Sequence, residues 1–141
     1  MGKIQATQQS YAADWNFAAD GGAIGTILLS SWNVPQNSRL LGIRFDTLTA
    51  LTAAGGTAAI SFGFQEQGVA APITDVTAFL GVNNFAAFNQ VNAAGRFITI
   101  PGNCNPINFP NAWLPLIAIS GAALTAGRIV VTFECSIVNN V

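Results

Sequence analysis

Between Arg128 and Val138 every second residue is apolar: Ile129, Val131, Phe133, Cys135 and Ile137 fall on one side, with Val130 and Val138 on the other. A period of two marks a β-strand, because successive side chains point to opposite faces of a sheet. Apolar residues on both faces place this strand at the centre of a sheet or beneath a partner. The same period recurs upstream. Arg39 to Thr49 sets Leu41, Ile43 and Phe45 against Leu40, Arg44, Asp46 and Leu48. Thr57 to Gln67 sets Ile60, Phe62 and Phe64 against Ser61, Gly63 and Gln65. Shorter β-rich runs cover Ile24 to Trp32, Arg96 to Ile100 and Ala112 to Ser120.

Turn signals separate these runs: Asp20-Gly21-Gly22, Asn33-Val34-Pro35-Gln36-Asn37, Ala53-Ala54-Gly55-Gly56, a Pro/Asn-rich loop over 101–111, and Gly121 to Gly127. Asp75 to Phe88 reads two ways. Asp75 caps a short helix through Val76, Phe79 and Leu80, or the stretch is an extended loop around Asn83-Asn84. No long amphipathic helix and no internal repeat is present. Seven to eight short strands with frequent turns predict an all-β fold, a single antiparallel β-sandwich of jelly-roll-like form over residues 21–141. Ile43, Phe45, Ile60, Phe62, Phe64, Ile129, Val131 and Phe133 are its expected core.

Residues 1–20 are polar and lie outside these runs, with Tyr11, Trp15 and Phe17 embedded among Gln5, Gln8, Gln9, Ser10, Asp14 and Asn16. They are expected to form an N-terminal arm whose Tyr11, Trp15 and Phe17 contact an adjacent subunit.

Composition then restricts function. The 141 residues include five Lys/Arg, six Asp/Glu and no histidine, so 8% are charged, against about 25% in an ordinary soluble domain. Much of the surface is instead Ala, Gly, Asn, Ser and Thr. A surface so poor in ions is explained by packing against neighbouring subunits. A net charge of −1 and five scattered cations (Lys3, Arg39, Arg44, Arg96, Arg128) exclude the clustered positive field that nucleic acid requires. Mean hydropathy is +0.46, and no charge falls between Phe97 and Gly127. Pro101, Pro106, Pro110 and Pro115, with Asn103, Asn105, Asn108 and Asn111 among them, nevertheless rule out a transmembrane helix there. The opening Met-Gly-Lys-Ile-Gln-Ala-Thr-Gln-Gln-Ser has no apolar signal-peptide core, and Met1-Gly2 before Ala6 is no myristoylation site.

Without histidine, Ser-His and Cys-His nucleophile pairs are excluded, as are His-containing metal sites. Asp14, Asp20, Asp75 and Glu134 are scattered. Asp46 and Glu66 could form a glycosidase-like carboxylate pair. The simpler reading is a cross-strand ion pair of Asp46 or Glu134 with Arg44 or Arg128. Gly21-Gly22 and Gly55-Gly56 are turns, since no Lys-Ser/Thr follows and no helix opens there. Cys104 and Cys135 are too few for a disulfide framework and are expected as free thiols. Trp15, Trp32, Trp113 and the ten phenylalanines could line a sugar-binding face, but in a sandwich most belong to the core or to subunit contacts. No catalytic residue, metal, cofactor or small-molecule substrate is expected.

The last third carries the most specific pattern. Trp113-Leu114-Pro115-Leu116-Ile117-Ala118-Ile119-Ser120 precedes Gly121-Ala122-Ala123-Leu124-Thr125-Ala126-Gly127-Arg128-Ile129-Val130-Val131-Thr132-Phe133-Glu134. This strand–turn–strand resembles the ends of small bacteriophage virion proteins, the capsid, decoration and spike subunits built on jelly-roll-like sandwiches. The resemblance implies a virion structural subunit, a homo-oligomer (pentamer or trimer, the pentamer preferred) meeting other virion proteins. A secreted or cell-surface β-sandwich binding module, adhesin or carbohydrate-binding, is the alternative.

Overall fold

The computed structural model describes residues 4–29, 33–84, 97–101 and 107–140. Nine strands and one helical turn follow in order: β1 (Ile4–Asn16), α1 (Phe17–Asp20), β2 (Gly25–Leu28), β3 (Ser38–Ala53), β4 (Ala59–Glu66), β5 (Thr74–Asn84), β6 (Phe97–Pro101), β7 (Ile107–Phe109), β8 (Trp113–Ser120) and β9 (Leu124–Asn140). One sheet has the order β1-β9-β3-β6, with β7 also on β3; the other runs β2-β8-β4-β5. Every pairing is antiparallel.

The segments β6 and β7 share one strand position. Asp46 to Gly42 of β3 pairs with Phe97–Pro101, and the same strand continues from Leu40 to Ser38 along Ile107–Phe109. Eight positions therefore remain, and four of their pairings nest: β1 with β9, β2 with β8, β3 with β6/β7, and β4 with β5. These nested pairs alternate between the two sheets. That winding is the jelly roll.

The expected core is where the two sheets meet. Phe45 of β3 and Phe62 of β4 face each other across the sandwich with ring centroids 4.9 Å apart. Trp113 stands edge-on to Phe133 at 5.3 Å, and Phe79 contacts Phe133 at 5.2 Å. Ile43, Ile60, Ile129 and Val131 are buried beside them, and Phe64 is partly buried against the same cluster. The central strand read from Arg128 to Val138 is confirmed as β9, which lies between β1 and β3. It begins earlier than the alternation implies, at Leu124, because Thr52 and Ala53 extend β3 to meet Ala126 and Leu124. The turn is shortened to residues 121–123. Gly121 takes φ +76, and a side chain there would collide with the Thr57 carbonyl.

Leu40, not Leu41, is buried with Ile43 and Phe45, because β3 shifts register against β9 between Leu40 and Gly42. Two further expectations differ from the structure. The first is the stretch from Asp75, which forms neither a helix nor a loop over its described residues. It is strand β5, and the Asp75 carboxylate accepts hydrogen bonds from the N–H and hydroxyl of Thr77 at 3.0 and 3.1 Å. Register shifts against β4 at two places blur its period. Residues 85–88 lie outside the described residues.

The second is the boundary at residue 20. Rather than a separate arm, residues 4–16 form β1, paired with β9 over thirteen positions from Ile4↔Asn140 to Asn16↔Arg128. Tyr11, Ala13 and Trp15 alternate toward the interior, and Trp15 is completely buried. Alanine at positions 12 and 13 hides the alternation, because it is too small to contrast with either face. Phe17 opens α1, where the Asn16 side chain caps the turn by accepting the Ala18 N–H at 3.1 Å.

Candidate interaction surface

The outer faces of the two sheets differ in chemistry. In the sheet containing β9, the residues between the buried ones include Asp14, Arg39, Arg44, Asp46, Arg128 and Glu134, six of the eleven charged residues of the chain, beside exposed Leu41 and Leu48. The charges neutralise one another locally. Arg128 grips the Asp14 carboxylate with two nitrogens, at 2.7 and 3.0 Å, and this pairing raises the Arg128 pKa. Arg44 pairs with Asp46 at 2.9 Å along the same strand, not across strands as expected from the sequence. Glu134 accepts from the Ser10 hydroxyl at 2.6 Å. Both ion pairs are substantially exposed, so each is worth little stability. Asp46 and Glu66 lie on different sheets and do not form a carboxylate pair.

The opposite sheet presents no charge along its central strands. Leu114, Leu116 and Ala118 of β8 pair with Gln65, Gly63 and Ser61 of β4 on the face turned away from the other sheet, where Leu114, Leu116 and Ser61 are nonetheless buried. Leu28 of β2 lies beside Leu116 and is 42% exposed. Glu66 ends β4 and is buried. Its Oε1 accepts the Ile73 N–H at 2.9 Å, and its Oε2 accepts from the Asn111 amide at 2.6 Å. The Gln67 N–H donates to the Ala112 carbonyl at 2.8 Å. One carboxylate thus ties residues 67–73 to the segment after β7. That loop ends in Ile73, which is 61% exposed.

The aromatic residues proposed from the sequence go mostly inward. Trp15 and Trp113 are fully buried, and their indole N–H groups donate to the Gly21 carbonyl (3.0 Å) and the Ser38 hydroxyl (3.3 Å). Trp113 stacks on Phe109 at 4.5 Å. Neither can present a face to a sugar or a neighbour. Tyr11 and Phe17 are partly buried against the same core, so of the three proposed contact residues Trp15 belongs to the interior of its own chain. Trp32 lies outside the described residues. Cys135 is a free, buried thiol; burial, and next the Glu134 charge, push its pKa up to about 12. Burial, and next Cys135, also raise Tyr11. A thiol held protonated is a poor nucleophile and metal ligand. Cys104 and residues 85–96 and 102–106 lie outside the described residues. Among the described residues no helix is long and apolar enough to cross a membrane.

The sheet edges differ in a way the sequence did not reveal. The β2 edge has four residues, and β6 and β7 have five and three. Strand β5 carries two register shifts. Only β1, among the described edges, is long and without register shifts: thirteen residues with no lysine and no proline.

No protein-family model and no curated protein matches the sequence. Solved structures do resemble the fold. A chain of the acidic stable capsid structure of Helicobacter pylori bacteriophage KHP30 superposes with a TM-score of 0.60 at 16% identity, covering 99% of this chain and 98% of that one. A chain of the cyanophage Pam1 capsid asymmetric unit gives 0.49 at 15% identity, covering 96% and 86%. The VP2 subviral particle of infectious bursal disease virus gives 0.32 at 16%, with only 36% of that chain covered. Over 99% of its length the chain shares the fold of that KHP30 capsid chain, the jelly-roll form expected from the sequence.

Proposed function

We propose that this chain is a structural subunit of a virion, a capsid-associated jelly roll that works by burying surface against copies of itself and other virion proteins. The observation that carries this reading is the full-length superposition on a chain of the KHP30 capsid, end to end in both chains. Two further observations support it. Charges are self-neutralised on one outer face and nearly missing from the other. The buried tryptophans leave no described aromatic platform for a sugar. On this reading the protein acts in the assembled particle as a pentamer or trimer, a role that needs no catalytic site, cofactor or nucleic-acid surface.

Sedimentation of the purified chain across a hundredfold range of concentration tests this. The expected result is a discrete oligomer that also binds phage shells. A monodisperse monomer throughout, with no affinity for shells, would favour a cell-surface binding module instead.

A further inference from the structure

We infer that the free edge of β1 is a two-fold interface, on which β1 of a second copy adds antiparallel to continue the sheet. The inference rests on the structural-subunit reading above and names the contact it would use. Natural sheets guard their edges with short strands, bulges, proline or lysine, because an unguarded edge templates another strand. Three of the four edges here are guarded by shortness or register shifts. The β1 edge is not. It runs in unbroken register for thirteen residues, and among the described residues nothing pairs with it on the side away from β9. In an antiparallel ladder about half of its N–H and C=O groups point to that side.

Charge selects the occupant and its direction. Asp14 is the one charged residue between Ile4 and Asn16, and Arg128 already engages it. A strongly charged partner strand therefore finds no counterpart here, whereas a second β1 meets no opposing field. In a parallel pair the two Asp14 side chains would lie about 4.8 Å apart, where like charges repel. An antiparallel pair centred on Ser10, the midpoint of the strand, gives the longest ladder. Asp14 then faces Ala6 of the second copy. The two Asp14 residues are separated by eight positions, roughly 26 Å and beyond the ~8 Å screening length of physiological salt. Exposed Thr7, Gln8, Gln9 and Ser10 make up the centre. A contact of this symmetry is self-complementary, so it joins two rings rather than closing one.

Two sets of variants of the full chain test it. With Cys104→Ser throughout, Ser10→Cys should form disulfide-linked dimers on mild oxidation, since facing residues approach within disulfide reach. Asn16→Cys should not, because its counterpart would be about 40 Å away at twelve residues' separation. Gln8→Lys combined with Gln9→Lys should weaken dimer formation at least tenfold in sedimentation. Ala18→Lys with Ala19→Lys, of equal charge on the exposed surface of α1, should leave it unchanged. Circular dichroism verifies that each variant is folded. If the edge lysines leave this two-fold dimer formation intact, the interface is overturned while the subunit reading stands. A chain that is monomeric before any substitution overturns both. Edge lysines that abolish shell binding without affecting self-association would assign the edge to a strand of a different virion protein, which also overturns the second copy as occupant.

Discussion

Phe133 is almost completely buried on β9, with rings of Phe79 and Trp113 within 5.3 Å. Replacing it with alanine removes those contacts and leaves a cavity between two sheets that cannot collapse far. We expect a loss of about 3–5 kcal/mol in urea unfolding. Two positions along the same strand, Cys135 reports on pH. Its unfolded thiol titrates near 9.0, and the folded one only near 12. Above pH 9 the unfolded chain releases a proton that the folded chain keeps, so stability is full below pH 9 and falls as pH rises toward 12. Tyr11 adds a slope of the same sign, since its pKa is raised too. The Cys135→Ala chain should therefore have a flatter stability profile between pH 9 and 11 than the unsubstituted chain. Equal slopes in thermal melts over that range would contradict the burial argument.

Strand β4 must let β5 pass closely at Gly63. A Cβ there would fall inside the contact radius of the Asp75 carbonyl oxygen, which is backbone and cannot swing aside. Gly63→Ala should cost at least the upper part of the ~1–3 kcal/mol usual for overpacking. Gly56→Ala, with nothing within 4 Å of its added methyl, should stay within about 0.5 kcal/mol. Strand β1 gives a larger effect. Deleting residues 2–18 removes Trp15 from the core and leaves β9 unpaired on one side, so the truncated chain should fail to fold, by near-ultraviolet circular dichroism. A folded truncated chain would return these residues to the status of an appended arm. Most elements could be read from the sequence because their period is carried by large side chains: Ile129 to Ile137, Ile60 to Phe64, Ile43 and Phe45. The two that could not be read share a physical cause. Strand β1 alternates through alanines and glutamines, and β5 interrupts its alternation with register shifts. The candidate interface was legible only as a polar N-terminal segment with aromatic residues. Which of those aromatics turn inward, and which edge stays open, depends on pairing with residues more than a hundred positions away.

At the scale of the molecule, the ion pairs join β1 to β9 and residues within β3, and they are satisfied inside one chain. Contacts between copies then have few charges to screen. Raising salt from 50 to 500 mM should change the association constant less than about tenfold; dissociation at moderate salt in sedimentation would show that ionic contacts dominate. The nested topology also sets a schedule. Strand β9 is the common partner of β1 and β3, yet the ribosome makes it after every other described strand. At ~5–20 residues per second, seconds pass between synthesis of β1 and of the strand that covers it. During that interval Trp15 and Phe45 belong to a sheet without a centre, and the cell holds a nascent chain whose longest edge is open on both sides.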